Sequence, residues 1–311
     1  MKRDAVSGSA SSDAEIQKAV QALERRAEKI LKARPAYQEM VDFYLTVFRR
    51  QIEWRDKLVV HPETVDDQQR RRCLGAGEPL IERFCPGIES QSLVKLWTEM
   101  KAVFRRGNDV LRQAVEKVND AEEAGSFTPA TWLLEQRPDR DELVADAGRQ
   151  IGIDESVLAT LARAVTFPHW ELVAQSWLPE EPVEGWTEFR CPTCGGVPGL
   201  VEIRAARSGD EGIAAATRRL MHCPFCGSRW AIAALRCPAC DSTRAGDAKY
   251  YYTDQEPELR IDFCKSCKHY VKVVNADRIT GRVHVGLELL TTTHLDTIAQ
   301  DKNLEPLELC S

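Results

Sequence analysis

The sequence predicts an α+β protein: an all-α helical bundle in the N-terminal half, followed by two small metal modules of zinc-ribbon or rubredoxin-like build. Three observations carry this. Apolar residues recur at helical spacing as far as Trp177, four Cys-x-x-Cys pairs fall between Cys191 and Cys267, and around those pairs the helical period gives way to short strand-like runs. The expected division is a disordered N-terminus at 1–13, a helical domain at 14–180, a first metal module at 181–235, and a second at 236–311 that carries a C-terminal helix.

Residues 1 to about 13 are rich in Ser, Gly, Ala and Asp and carry too little apolar surface to order themselves. From Ala14 to Ala33, Ile16, Val20, Leu23, Ala27, Ile30 and Leu31 keep a helical period, which Pro35 interrupts. A second helix holds Tyr37, Met40, Val41, Tyr44, Leu45, Phe48 and Ile52, an aromatic face suited to a bundle core. Residues 73–90, with three Gly and two Pro, read as a long loop around a short Leu80-Ile81 segment. Ser92 is placed to cap the next helix, whose stripe runs from Leu93 to Phe104, and Gly107 marks a break before Val110 to Val118. Further helices are expected at 130–136, 139–151 and from about 154 to Val165, with a separate last one from Pro168 to Trp177.

Leu178 to Gly185 combines Pro, Gly and acid and reads as the linker. Beyond it, strand-like runs lie at 199–204, 220–222, 230–235, 249–253, 259–263 and 270–275. A helical tail spans roughly 287–300.

The cysteine pairs are Cys191/Cys194, Cys223/Cys226, Cys237/Cys240 and Cys264/Cys267, separated by 28, 10 and 23 residues. Two residues between cysteines let both sulfurs face one side of a tight turn, and two such turns complete a tetrahedral thiolate cage. The longer gaps hold a hairpin that returns the chain to the first knuckle; the short one joins modules. Cys191, Cys194, Cys223 and Cys226 are therefore expected around one ion, and Cys237, Cys240, Cys264 and Cys267 around another. In the first two knuckles Pro follows the first ligand and Gly the second, where positive φ is free of strain. Asp241 takes that Gly position in the third. The fourth, Cys264-Lys-Ser-Cys-Lys268, has neither Pro nor Gly and is expected to be the most exposed. Arg190, Arg229, Arg236, Lys265 and Lys268 stand next to ligands, where they would offset a four-thiolate site of formal charge about −2. Cys73, Cys85 and Cys310 lie outside the pattern and read as buried or incidental residues.

Four disulfides are the alternative use of eight such cysteines, and they need an oxidising compartment. The chain opens Met1-Lys2-Arg3-Asp4 and enters a Ser-rich stretch with no apolar h-region, so a signal peptide is not expected. Nor does any window reach the ~20 apolar residues of a membrane span. A formal net charge of −6 argues against general affinity for nucleic acid.

The ordered set Cys191-Pro-Thr-Cys-Gly-Gly, Leu220-Met-His-Cys-Pro-Phe-Cys-Gly-Ser-Arg-Trp230, Arg236-Cys-Pro-Ala-Cys-Asp and Phe263-Cys-Lys-Ser-Cys-Lys-His-Tyr-Val-Lys272 resembles the FdhE-type formate dehydrogenase accessory proteins. That resemblance implies a cytoplasmic, non-catalytic maturation factor that binds the catalytic subunit of a respiratory formate dehydrogenase before export. It also implies iron in rubredoxin-like sites; thiolate cages admit zinc as the alternative.

Two other classes compete. A nucleic-acid-binding zinc-ribbon protein would use Arg218, Arg219, Arg229, Arg236 and Arg244 with Trp230 and Tyr250-Tyr251-Tyr252 as stacking groups. An enzyme would need an open ligand position, whereas four sulfurs close each expected set. His222 and His269 sit beside ligands and read as supporting imidazoles; His61, His169, His284 and His294 are scattered without evident partners.

Overall fold

Helices fill the chain as far as Trp177, and a seven-stranded sheet dominates the C-terminal remainder. The computed structural model describes residues 6–7, 13–179, 183, 186–205, 218–232 and 236–307. Two units divide the chain, one of Met1–Gln21, Asp42–Val65 and Arg83–Trp177, the other of Ala22–Val41, Asp66–Glu82 and Leu178–Ser311. Most of the expected disorder at 1–13, the linker residues 180–182 and 184–185, the end of the expected strand at 233–235, and Cys310 lie outside the described residues.

In chain order the first elements are β1 (Val6–Ser7), α1 (Asp13–Ala33), α2 (Gln38–Trp54), β2 (Val59–Val60), α3 (Asp67–Gly75), α4 (Ser90–Phe104), α5 (Asp109–Glu123), α6 (Pro129–Leu134), α7 (Asp141–Ile151) and α8 (Glu155–Trp177). Within the first unit α4 and α8 supply the core, burying Leu93, Leu96, Trp97, Met100 and Phe104 from one and Val165, Trp170, Val173 and Trp177 from the other. Trp97, Phe127 and Trp132 close around one another at centroid distances of 5.2–6.2 Å. The break at Gly107 falls where expected, because Asn108 caps α5 by accepting from Leu111 N at 3.0 Å.

Several expectations for this half are corrected. Glu155–Trp177 is one helix, not two, with Pro168 inside it. Proline has no N–H for the Ala164 carbonyl four residues back, and the Gln51 side chain donates to that carbonyl instead, at 2.9 Å. Ser92 is not a cap: Glu89 holds the N-cap position of α4, and Ser92 is buried within the helix. Its hydroxyl lies 3.0 Å from His169 Nε2, and His169 Nδ1 donates to Val165 O at 2.9 Å, so His169 has partners on both ring nitrogens. The stretch read as loop from residue 73 begins inside α3, where Asp66 and Gln69 form a capping box. Its Leu80-Ile81 segment is a single 3-10 turn.

The second unit carries β3 (Leu200–Arg204), β4 (Arg218–His222), β5 (Arg229–Ala231), β6 (Ala248–Tyr252), β7 (Leu259–Cys264), β8 (His269–Asn275), α9 (Val285–Thr291), α10 (Thr293–Asp301) and β9 (Glu305–Pro306). The expected tail helix is two helices. Strand order is β5-β4-β3-β8-β7-β6, with β9 beside β8. Neighbours pair antiparallel except β3 with β8 and β8 with β9, which run parallel. In the β3–β8 pair, Leu200 faces Lys272 and Ile203 faces Asn275. One face of the sheet packs Leu200, Leu259, Ile261, Tyr270 and Val274 against Leu295, Ala299 and Leu304. Beside this core, Arg26 of α1 makes a buried two-pronged ion pair with Glu288 of α9, at 2.7 and 2.8 Å.

Candidate metal centres

The same chain path is used twice. Cys191 and Cys194 precede β3, the β3–β4 hairpin comes next, and Cys223 and Cys226 stand between β4 and β5. Likewise Cys237 and Cys240 precede the β6–β7 hairpin, and Cys264 and Cys267 bridge β7 to β8. Each hairpin returns the chain to its first knuckle, as the 28- and 23-residue gaps imply.

All four knuckles share one backbone device. The residue after each second cysteine has positive φ, at +76° for Gly195, +77° for Gly227, +58° for Asp241 and +66° for Lys268. In each case its N–H returns to the carbonyl of the first cysteine at 2.9–3.1 Å. The fourth knuckle thus keeps the turn without its glycine.

The structure brings the expected cysteines together as two groups, Cys191, Cys194, Cys223 and Cys226, and Cys237, Cys240, Cys264 and Cys267, with the sulfurs of each group within 4.8 Å of one another. Cross-knuckle separations are 3.5 Å for Cys191–Cys226 and Cys194–Cys223, 3.7 Å for Cys237–Cys267 and 3.8 Å for Cys240–Cys264. A tetrahedron of sulfurs about 2.3 Å from a central ion has an edge of about 3.8 Å, so both groups could hold a metal ion.

Charge points the same way. Burial pushes the Cys194 and Cys226 thiols well above their ordinary range, while Cys223, despite burial, is held well below it by hydrogen bonds from the other three sulfurs. In the second group burial raises Cys237 and takes Cys267 up to about 11; Cys264 is lowered, against burial, by the backbone N–H groups of Cys267 and Ser266. Four thiolates need a cation among them.

Surroundings differ between the two. All four sulfurs of the first group are buried, whereas in the second only Cys264 is, Cys237 and Cys267 are half-buried and Cys240 is exposed. The exposed ligand thus belongs to the third knuckle, not the fourth as expected. Around the first group, Leu80 N and Ile81 N donate to the carbonyls of Pro192 and Thr193, both at 2.9 Å. Thr193 and Ser228 join hydroxyls at 2.7 Å, and Ser228 Oγ lies 3.3 Å from the Cys226 sulfur. Sequence reasoning missed this strap because a two-residue apolar segment in a Gly- and Pro-rich stretch carries no period.

The flanking cations are partly committed elsewhere. Arg190 pairs with Glu82 at 2.7 Å, and Arg236 grips both oxygens of Asp241 at 2.9 Å, fastening the positive-φ residue of the third knuckle. His222 is a supporting imidazole: its Nε2 meets the buried Glu202 carboxylate at 2.8 Å. Burial opposes ionisation of Glu202, but His222 and Arg204 outweigh it and take its pKa down to about 2. A Glu amid the apolar run Leu200-Val-Glu-Ile203 was the signal available for that pair. His269 Nδ1 turns to the Cys267 carbonyl at 3.1 Å. Of the stacking groups a nucleic-acid reading needs, Trp230 is fully buried and Arg219 is tied to Asp262 at 2.7 Å; Tyr250, Tyr251 and Tyr252 are exposed.

Fold and site define a metal-ribbon protein, in which a helical half precedes a sheet bearing two four-cysteine groups. No protein-family model matches the chain. It is similar to the protein FdhE homolog of Aquifex aeolicus (strain VF5), 22% identical over 245 residues that cover 79% of this chain and 78% of that one. The FdhE homolog of Serratia proteamaculans (strain 568) is 27% identical over 168 residues, 52% of this chain and half of the relative's length. The crystal structure of the FdhE protein from Pseudomonas aeruginosa shares the fold, with a TM-score of 0.58 at 18% identity over 92% of this chain and 93% of that one. The chain is thus FdhE-like in sequence and in fold. Among the described residues no helix is long and apolar enough to cross a membrane.

Proposed function

We propose that this is a non-catalytic accessory protein of formate dehydrogenase maturation, acting in the cytoplasm and docking on the catalytic subunit before that subunit is exported. The observation that carries the reading is the pair of four-sulfur groups set in a fold shared with an FdhE protein. Cys191, Cys194, Cys223 and Cys226 would hold one ion, and Cys237, Cys240, Cys264 and Cys267 the other. Four sulfurs leave no position for an activated water, which favours structure or electron transfer over hydrolysis. Iron is preferred on the family likeness and zinc is the alternative; iron in such a cage exchanges one electron, zinc none. The working division stays a helical domain at 14–180 and metal modules at 181–235 and 236–311.

Anaerobic purification without added metal, followed by elemental analysis, is expected to give two ions per chain. Immobilised full-length chain is expected to retain the formate dehydrogenase catalytic subunit, identified by mass spectrometry. A metal-free chain with its thiols paired as disulfides, or failure to retain that subunit, would overturn the proposal.

A further inference from the structure

We infer that the two centres are unequal in kind: the first is a fixed structural pin, and the second is an exchange centre that opens at Cys240. The inference rests on the reading of both groups as metal sites and adds the assignment of separate roles.

A ligand-exchange step at a thiolate cage needs an incoming donor to reach the ion as one sulfur leaves, so access to the cage decides where it occurs. At the first group there is no such access. Its four sulfurs are buried, the 3-10 turn at Leu80–Glu82 is bonded across Pro192 and Thr193, and the Thr193–Ser228 hydroxyl pair, both side chains buried, closes the side next to Cys226. Gly195 lies against Pro79 of the same strap, 3.6 Å from where a Cβ would stand.

The second group has the opposite surroundings. Cys240 is exposed, and the residues just beyond the two knuckles, Asp241 and Lys268, hold positive φ without being glycine. Lys268 gives up that strain once the metal no longer fixes the turn, while Asp241 keeps its two-pronged hold on Arg236. Lys265 and Lys268 are exposed beside this group, so an anionic donor meets favourable charge. The donor class that suits the site is a soft one, a thiolate or imidazole from a partner. Such a donor would take the place of Cys240 on the ion, one ligand exchanged for another with no electron transferred.

The test uses the full chain carrying Cys85→Ser and Cys310→Ser, loaded with zinc under anaerobic conditions and challenged with excess 4-(2-pyridylazo)resorcinol. Release in two phases of one equivalent each, at least tenfold apart, is expected, with the fast phase absent from the Cys240→Ser variant. Because that variant could lose its fold, the parent chain is also pulsed with N-ethylmaleimide and mapped by mass spectrometry, and Cys240 is expected to be modified before Cys191, Cys194, Cys223 or Cys226. A single phase covering both equivalents, or first modification within the first group, overturns the inference alone. Failure to take up zinc at all strikes the reading of the groups as metal sites, and the inference falls with it.

Discussion

Lys268 performs with a side chain what Gly195 and Gly227 perform without one. At φ +66° it carries the left-handed strain that falls on an L-residue, on the order of 1 kcal/mol. Lys268→Gly should therefore raise the urea midpoint of the loaded chain, whereas Gly195→Ala should lower stability by about 1–2 kcal/mol, since its φ is +76°. Arg26 and Glu288 present the reverse case, a pair that helps only while complete. Glu288→Ala leaves a buried guanidinium without its counter-ion and should cost about 3–5 kcal/mol in chemical denaturation, far more than the apolar double replacement Arg26→Met/Glu288→Leu. The grouping of the eight cysteines was legible because a two-residue spacing turns both sulfurs of a pair to one side of a tight turn. Arg26 was not: it stands three residues after Leu23 and next to Ala27 on the buried face of α1, and a charge there reads as one of the solvated partners.

The elements that the sequence showed clearly, such as α1, α2 and β7, are those whose apolar period matches their own geometry. α8 was misread because Pro168 is a local stop signal whose cost is met by a residue 117 positions upstream: the freed Ala164 carbonyl is taken by Gln51, and no window of sequence contains both. Gln51→Leu should consequently lower stability by about 1–3 kcal/mol, the cost of a buried carbonyl left without a donor. The next residue in α8 adds a pH dependence. Burial takes His169 down to about 4, and His284 likewise, so the native state refuses protons that the unfolded chain accepts below about 6.5. Stability should be full above that pH and decline as pH falls from 6.5 towards 4. Between 6.5 and 5 the carboxylates barely titrate, so urea midpoints across that window report the histidines. A flat profile would contradict the lowered values of the buried His169 and the half-buried His284.

At the scale of the molecule, grouping the cysteines as first with second pair and third with fourth was legible from the 28-, 10- and 23-residue gaps. The join between the ribbons was not, since a parallel contact between β3 and β8 leaves no local mark. That contact makes the ribbons parts of one sheet. Removing the first centre by Cys191→Ser/Cys194→Ser frees β3, the neighbour of the strand just after Cys267, and should speed zinc loss from the second centre several-fold; independent ribbons would leave that rate unchanged. The same arrangement sets a timetable during synthesis. A ribosome adding 5–20 residues per second takes roughly 4 to 14 s to travel from the end of β3 to the end of β8. Through that interval the nascent first ribbon carries an open strand edge, and its companion completes it only once both pairs of the second cysteine group have been made.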